Sequence, residues 1–172
     1  MKFGIIKERK NPPDRRVVFT PEELVRLQSE HPEAEIKVES SDIRIFSDDQ
    51  YRNLGLNVTA EMSDCDVLFG VKEVPVDALI PNKKYFFFSH TIKKQPYNRK
   101  LLKAILDKNI ELYDHETIVD ATNHRLIGFG RYAGLVGAYN GFRGFGIKYD
   151  LFTLPKAETL SGKEDLIARL KR

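Results

Sequence analysis

Short apolar runs alternate with amphipathic segments along most of this chain. The apolar runs predict strands at residues 3–6, 66–71, 85–88 and 110–113, and alternation of polar and apolar residues predicts a strand at 35–38. Helical spacing of apolar residues predicts helices at 21–31, 47–54 and 96–108, the last with an apolar face of Leu101, Leu102, Ile105 and Leu106. Strands that alternate with helices indicate an α/β fold with three layers, a mostly parallel sheet with helices on both faces, Rossmann-like or flavodoxin-like.

Two helix starts carry clear capping signals. Thr20 is followed by Pro21 and two glutamates, which is a cap residue, a proline at the first helical position and acids in the first turn. Ser47 precedes two aspartates in the same way, and Gly55 is well placed to end that short helix.

Glycines recur at helical spacing near the C-terminal end. The segment RYAGLVGAYNGFRGFGIKY predicts a long helix over 131–149 that packs closely against another element through Gly134, Gly137, Gly141 and Gly144. A final helix is predicted over 161–172, with Ser161 as its cap. We therefore divide the chain into a domain at residues 1–130 and, at residues 131–172, a long glycine-containing inter-domain helix with the start of a linker.

Composition excludes several classes of function. The chain has 172 residues, 41% of them hydrophobic, which suffices for one core. The net charge of +3 comes from 28 basic and 25 acidic residues that are interspersed, so nucleic acid is not expected as a partner. No stretch approaches the length of a membrane span, and the single Cys65 predicts a small buried thiol in a reducing compartment. We expect no membrane partner and a cytoplasmic location.

Basic side chains follow two of the predicted strands, at the edge where parallel sheets carry their ligands. His90 comes directly after three phenylalanines, and Lys72 follows the apolar run VLFGV. Each has an ordinary alternative, a structural histidine or a solvated lysine. Arg15 and Arg16 lie in the loop after the first strand, and a guanidinium suits a carboxylate. The fold would bring arginine, lysine and histidine together on one small acid.

Two further motifs are weaker than they look. GFGRYA at 128–133 has the spacing of a dinucleotide fingerprint, but RLI before it is barely a strand, so we expect no cofactor site there. His115, Glu116 and His124 fit no established zinc spacing, so no metal site is expected.

Several segments together resemble the N-terminal domain of the alanine dehydrogenase, pyridine nucleotide transhydrogenase and saccharopine dehydrogenase family. FGIIKERKNPPDRRVVFTPEE is similar to the family's opening, with Arg16 in its R-x-x-x-T-P pattern, and SDCDVLFGVKEVP places Lys72 and Glu73 at its V-K-E position. YFFFSHTIKKQ, ELYDHETIVD and LIGFGRYAGLVG resemble the lysine-ketoglutarate reductase branch, with His90 and Glu116 at matching positions. The resemblance extends to about Ile147.

The resemblance implies a role for each of these residues. Arg16 would hold a substrate carboxylate, Lys72 and His90 would form the acid–base pair, and Glu73 and Glu116 would tune that pair. The substrates would be a 2-oxo acid and an amino acid. The cofactor would be NAD or NADP, bound mainly by a second domain that residues 150–172 do not supply, so we expect the chain alone to be inactive.

Three alternatives stay open. One alternative is the substrate chemistry of alanine dehydrogenase, although the phenylalanine run and SHTIK favour saccharopine. The chain would otherwise be a non-catalytic module that binds a small acid, or a partner of a separate nucleotide-binding subunit. A homo-oligomer is one possible assembly.

Overall fold

Six strands form one parallel sheet in this computed structural model, which describes residues 1–171. They are β1 (Lys2–Ile5), β2 (Glu35–Glu39), β3 (Asn57–Thr59), β4 (Val67–Phe69), β5 (Lys84–Phe87) and β6 (Glu111–Asp114). Their order is β3-β2-β1-β4-β5-β6, and each neighbouring pair is parallel. This is the strand order of a doubly wound, Rossmann-like sheet. The predicted α/β fold is confirmed.

Five α-helices accompany the sheet in the described residues. They are α1 (Pro21–Glu30), α2 (Asp48–Arg52), α3 (Arg99–Asp107), α4 (Gly130–Tyr149) and α5 (Lys163–Leu170), with short 3-10 helices at Val76–Ala78, Thr91–Lys93, Pro96–Asn98 and Ala157–Thr159. Of the helices described, none is both long enough and apolar enough to cross a membrane.

The predicted caps form in full. Thr20 Oγ1 accepts from Glu23 N at 3.2 Å while the Glu23 carboxylate accepts from Thr20 N at 2.8 Å, which is a complete capping box at α1. Ser47 and Gln50 make the same reciprocal pair at α2. Gly55, with φ +82°, takes up the left-handed conformation that ends this segment.

Each face of the sheet has its own apolar core. On one face, Leu68, Tyr85 and Phe87 of the central strands pack with residues of α3, and the fully buried thiol of Cys65 lies in this cluster. On the other face, Val38 and Ile5 of the sheet pack beneath α1 and α2. Leu24 of α1 and Tyr51 of α2 belong to this cluster. Because both faces are covered, the central strands β4 and β5 are almost entirely apolar.

The edge strand and the face of α3 differ from the sequence predictions. β3 was not predicted, because three residues with the pattern NVT carry too little periodicity to register. The segment predicted as one helix over 96–108 begins with the 3-10 turn Pro96–Asn98. Leu102 and Leu106, assigned to its apolar face, are 42% and 71% exposed, and Ala104 is buried in their place. The sequence offers two overlapping stripes here, and the one through Ala104 faces the sheet.

The described chain forms two compact units, one of Met1–Ile127 and one that begins at Gly128. In the second unit, the fully buried Tyr139 of α4 donates from its hydroxyl to Pro155 O at 3.0 Å, and Arg143 Nε donates to Leu154 O at 3.0 Å. These bonds fold the segment after α4 back along that helix. The functions assigned to residues 1–130 and 131–172 stay predictions.

The glycines of α4 do not pack as predicted. A Cβ built at Gly134, Gly137, Gly141 or Gly144 meets nothing within 4 Å, so within the described chain no element approaches the helix there. The close approach occurs instead at Gly146, against Phe152. The cap of α5 also differs, since Gly162 rather than Ser161 precedes its first turn.

Candidate functional site

The strand order creates a switch point between β1 and β4. The connections from β1 lead outwards to β2 and β3 on one side, and those from β4 lead to β5 and β6 on the other. Ligands of doubly wound sheets bind outside the carboxyl ends of the strands at this place. Arg16 and Lys72 follow the two strands of the switch point, and His90 and Glu116 follow β5 and β6.

A buried glutamate that the sequence analysis did not single out connects the loops of the switch point. Glu8 lies in the loop just after β1. It accepts hydrogen bonds from Val71 N at 2.7 Å and Lys72 N at 2.9 Å. Burial raises the pKa of Glu8 above its ordinary value, although the two N–H bonds oppose that change. The backbone that carries Lys72 is therefore attached to the β1 loop.

Arg16 is held by Asp14 in a two-pronged ion pair. Its Nε lies 2.9 Å from Asp14 Oδ1, and its Nη2 contacts Asp14 Oδ2. The bonds from Arg16 lower the pKa of Asp14 despite partial burial, and the nearby charge of Lys72 acts in the same direction. The charges of Arg16 and Lys72 thus act on the same carboxylate. The Arg16 side chain is still 40% exposed, so solvent reaches this guanidinium.

His90 lies between two carboxylates. Its Nδ1 is 2.9 Å from Glu116 Oε2, and its Nε2 is 3.7 Å from Glu73 Oε1. Each ring nitrogen therefore faces a carboxylate, and Lys93 Nζ also lies 3.1 Å from Nδ1. The residue has φ +56°, a left-handed conformation that turns the chain sharply after β5. Asn98 fixes this turn by donating from Nδ2 to His90 O at 3.1 Å.

Glu116 is the centre of the charge cluster. Its side chain is only 2% exposed and faces three basic groups: His90, Lys93 Nζ at 3.1 Å and Arg125 Nη2 at 3.2 Å. Burial by itself opposes ionisation of Glu116, but the bonds from His90 and Lys93 outweigh it, so its pKa lies below the ordinary value. The buried group is a paired carboxylate.

A second buried carboxylate fixes the loops after β5 and β6. Asp114 accepts from Ser89 Oγ through one oxygen and from Glu116 N at 2.9 Å through the other. His115 beside it is buried, with Nε2 3.1 Å from Gly70 O and Nδ1 without a partner in the described chain. Burial lowers the pKa of His115, which favours its neutral form.

The acid–base pair predicted from sequence is close in the backbone but not in contact. Phe88 N donates to Val71 O at 3.0 Å, which joins the segments that lead to His90 and Lys72. Among the described residues, no hydrogen bond or ion pair links those two side chains. Glu73 contacts His90 and, at 3.4 Å, Lys10 Nζ.

GFGRYA at 128–133 lacks the strands that a dinucleotide fingerprint requires. Between β6 and Gly128 the described chain has only an isolated antiparallel bridge between Val119 and Arg125, and no described strand follows α4. Within residues 1–171, no three His, Cys, Asp or Glu side chains are grouped to hold a metal ion.

Comparison with known families gives a match over most of the chain. Residues 4–136 match the model described as "Alanine dehydrogenase/PNT, N-terminal domain". The chain belongs to this family. The predicted resemblance is therefore confirmed, and the site described above lies on an alanine dehydrogenase/PNT N-terminal domain.

Relatives of this alanine dehydrogenase/PNT N-terminal domain are larger proteins. It is 35% identical over 147 residues to "Alpha-aminoadipic semialdehyde synthase" of Arabidopsis thaliana, covering 83% of this chain and 14% of that protein. It is 27% identical over 146 residues to "Saccharopine dehydrogenase [NAD(+), L-lysine-forming]" of Yarrowia lipolytica, covering 80% and 40%. An "L-alanine dehydrogenase" of known structure shares the fold, with TM-score 0.63 at 18% identity over 88% of this chain and 42% of that one. The domain thus spans less than half of each.

Three residues that support the site of this alanine dehydrogenase/PNT N-terminal domain were not singled out from the sequence. Glu8 is signalled only as a charge just beyond a strand, and Lys93 as a cation one turn after His90. Nothing local marks Arg125, because a loop of more than ten residues returns it to the site. Arg15 is exposed, and its carbonyl accepts from Ile45 N at 2.8 Å.

Replacing Glu116 by glutamine should lower the stability of the domain at pH 7 by about 1–3 kcal/mol, because three basic groups lose their buried counter-charge. The folded pKa of Glu116 is depressed, so its contribution is present above its unfolded pKa of about 4.3 and is lost as the pH falls through the folded value. Urea unfolding between pH 3 and pH 7 should show a smaller acid-side loss in Glu116→Gln than in the wild type.

The matched control is Glu111→Gln on β6, the strand that precedes Glu116. The Glu111 side chain is 60% exposed, and its contacts with Lys84 Nζ at 3.5 Å and the Tyr113 hydroxyl at 3.1 Å lie at the surface, so this change should leave the stability within about 0.5 kcal/mol. Equal acid slopes for the wild type and Glu116→Gln would contradict the assignment of Glu116 as a paired carboxylate.

Proposed function

We propose that this chain is the substrate-binding and acid–base half of an NAD(P)-dependent amino-acid oxidoreductase, most like lysine-forming saccharopine dehydrogenase. One observation carries the proposal: the loops after β1, β4, β5 and β6 gather Arg16, Lys72 and His90 with their carboxylates at the carboxyl edge of the sheet. Cations for a carboxylate and a histidine held by acids are the groups that chemistry between a 2-oxo acid and an amine requires.

Arg16 is the proposed binding group for the substrate carboxylate. Asp14 fixes the plane of its guanidinium from one side, and the side chain remains partly exposed. A planar, oriented guanidinium binds a carboxylate through paired hydrogen bonds, which sets the direction in which the 2-oxo carbon points. Lys72, whose charge acts on Asp14, would lie beside the same carbon.

Lys72 and His90 are the proposed proton donor and acceptor. Formation of an imine from an amine and a 2-oxo acid needs proton transfers to and from nitrogen and oxygen. Since the two side chains do not bond to each other, we propose that they exchange protons with the substrate. Glu73 and Glu116 would hold the imidazole of His90 in place, and a proton on either of its nitrogens would find a carboxylate.

Hydride transfer is the part of the reaction that we do not assign to the described residues. A bound nicotinamide supplies the hydride in such a reaction. The Yarrowia relative carries NAD(+) in its name, and the dinucleotide fingerprint context is missing around residues 128–133 of the described chain. We therefore propose that NAD or NADP is bound by a companion domain, and that this chain alone does not transfer hydride.

Titration of the 15N-labelled, 172-residue chain tests the proposal. We expect 2-oxoglutarate to shift the amide signals of Arg16, Lys72 and His90, because these groups line the proposed site, and to leave those of exposed α3 residues such as Lys103 unchanged. Pyruvate in a parallel titration tests the alanine dehydrogenase alternative. The same sample with lysine, 2-oxoglutarate and NADH or NADPH should show no change in absorbance at 340 nm.

The outcomes separate the alternatives. Tighter binding of 2-oxoglutarate than of pyruvate supports the saccharopine type, and the reverse supports the alanine type. Saturable binding by neither acid would overturn the proposed substrate-binding role. Oxidation of the reduced cofactor by the chain alone would overturn the proposed need for a companion domain.

A further inference from the structure

The backbone N–H and C=O groups of the segment before Lys72 have identifiable hydrogen-bond partners. Gly70 N donates to Phe86 O at 2.8 Å, and Val71 O accepts from Phe88 N at 3.0 Å, so β5 holds one side of the segment. Gly70 O lies 3.1 Å from His115 Nε2. The N–H groups of Val71 and Lys72 are directed away from β5, and both donate to Glu8.

Glu8 therefore accepts the two N–H groups that no strand accepts at this position. β4 ends at Phe69, and beyond it the ladder to β1 closes with Ile6 N donating to Phe69 O at 2.9 Å. Two consecutive N–H groups need two acceptors on one side, and a carboxylate offers two oxygens in one rigid plane. The oxygens of Glu8 take one N–H each, at 2.7 and 2.9 Å.

The side chain of Lys72 has no equivalent support. Within the described residues it makes no hydrogen bond and no ion pair of its own, so its direction depends on the backbone from which it extends. That backbone is tied to Glu8, and the loop beyond Glu8 continues to Asp14 and Arg16. One carboxylate thus connects the proposed anchor for the substrate carboxylate with the proposed acid–base lysine.

We propose that Glu8 is a positioning residue for Lys72: its buried carboxylate fixes the backbone of Val71 and Lys72 and so directs the lysine toward the substrate. That Lys72 points toward a substrate rests on the proposed function. The positioning of Lys72 by Glu8 is testable without any ligand.

The informative variant is Glu8→Gln. The amide keeps one acceptor oxygen but places an NH2 group against a backbone N–H, so one of the two bonds is replaced by opposed donors. The matched control is Glu39→Gln. Glu39 is also buried, at the end of β2, and accepts a backbone N–H, that of Lys7 at 2.9 Å, besides its ion pair with Arg9. It therefore holds the residues on both sides of Glu8 but has no bond to residues 70–72.

Two measurements follow Lys72 in the folded protein. Amide spectra report the N–H groups of Val71 and Lys72, and lysine labelled with 13C at Cε reports the side chain, with the Lys72 signal identified by its loss in Lys72→Met. In Glu8→Gln we expect all three signals to move and the affinity for 2-oxoglutarate to fall about tenfold, the effect of losing one hydrogen bond to a charged group. Glu39→Gln should leave the three signals and the affinity unchanged.

A purely structural role gives a different result. It would lower the midpoint of urea unfolding in Glu8→Gln and leave the Lys72 signals and the affinity as in the wild type, which would overturn the inference. If the wild type does not bind 2-oxoglutarate, the proposed function fails while the Lys72 signals still decide the role of Glu8. If Glu8→Gln does not fold, Glu8→Asp, whose shorter side chain reaches only one N–H, is read by the same signals.

Discussion

Lys72→Met and His90→Asn should each raise the dissociation constant for 2-oxoglutarate by about 100-fold or more, which corresponds to about 2.7 kcal/mol of binding free energy. Lys72 loses the charge that we place beside the 2-oxo carbon. His90 loses the imidazole that lies between Glu73 and Glu116, so an incoming anion would face these carboxylates without the ring between them. Isothermal titration of the two variants against the wild type measures the effect.

Both substitutions are chosen to leave the fold intact. The Lys72 side chain makes no hydrogen bond within the described residues, and methionine keeps its length while the N–H still reaches Glu8. At His90, asparagine tolerates the φ of +56° better than most side chains do. We therefore expect the circular dichroism spectra of both variants to match the wild type.

The controls are substitutions of the same type at exposed positions. Lys103→Met lies on the exposed side of α3, and His31→Gln lies at the end of α1. Both should bind 2-oxoglutarate as the wild type does. Wild-type affinity in Lys72→Met and His90→Asn together would remove Lys72 and His90 from the proposed site.

The sequence predicted the layout of the sheet because the information was local. Five of the six strands have a pattern of apolar residues that is long enough to recognise. The capping boxes of Thr20 and Ser47 mark the starts of α1 and α2. β3 was missed because an edge strand of three residues is defined by pairing with β2 rather than by its own pattern. The face of α3 was misassigned because adjacent leucines permit two stripes, and only the sheet selects one.

The sequence predicted which loops meet at the edge of the sheet, but not which side chains contact one another there. A parallel sheet brings the ends of its strands to one edge, so placing Lys72 and His90 after strands was enough to bring their loops together. Which carboxylate each cation contacts depends on loop geometry, which sequence periodicity does not encode. Arg16 binds Asp14, two residues before it, and Glu116 collects Lys93 and Arg125 as well as His90.

Two buried carboxylates each join neighbouring loops at the carboxyl edge of the sheet. Glu8 ties the loop after β1 to the loop after β4, and Asp114 ties Ser89, next to His90, to the backbone of Glu116. Each joins two loops and is buried: Glu8, in the loop after β1, accepts two N–H groups of the loop after β4, and Asp114 accepts from one group in each of the loops after β5 and β6. Side chains that must hold a reactive geometry need such support, because loops without it are the mobile parts of a fold.

Gly146→Ala should destabilise the packing of the second unit by about 1–3 kcal/mol, the usual cost of inserting an atom where none fits. A Cβ at this position would lie 2.5 Å from Phe152 O and 2.6 Å from its ring, and the backbone there is fixed by Leu151 N, which donates to Gly146 O at 3.0 Å. Hydrogen exchange of the Leu151 amide measures the free energy of opening. Gly144→Ala on the same helix is the matched control: its Cβ meets nothing within 4 Å, so alanine should stabilise α4 by about 0.5–1 kcal/mol. Equal exchange rates at Leu151 in the two variants would show that Phe152 does not pack on Gly146 in solution.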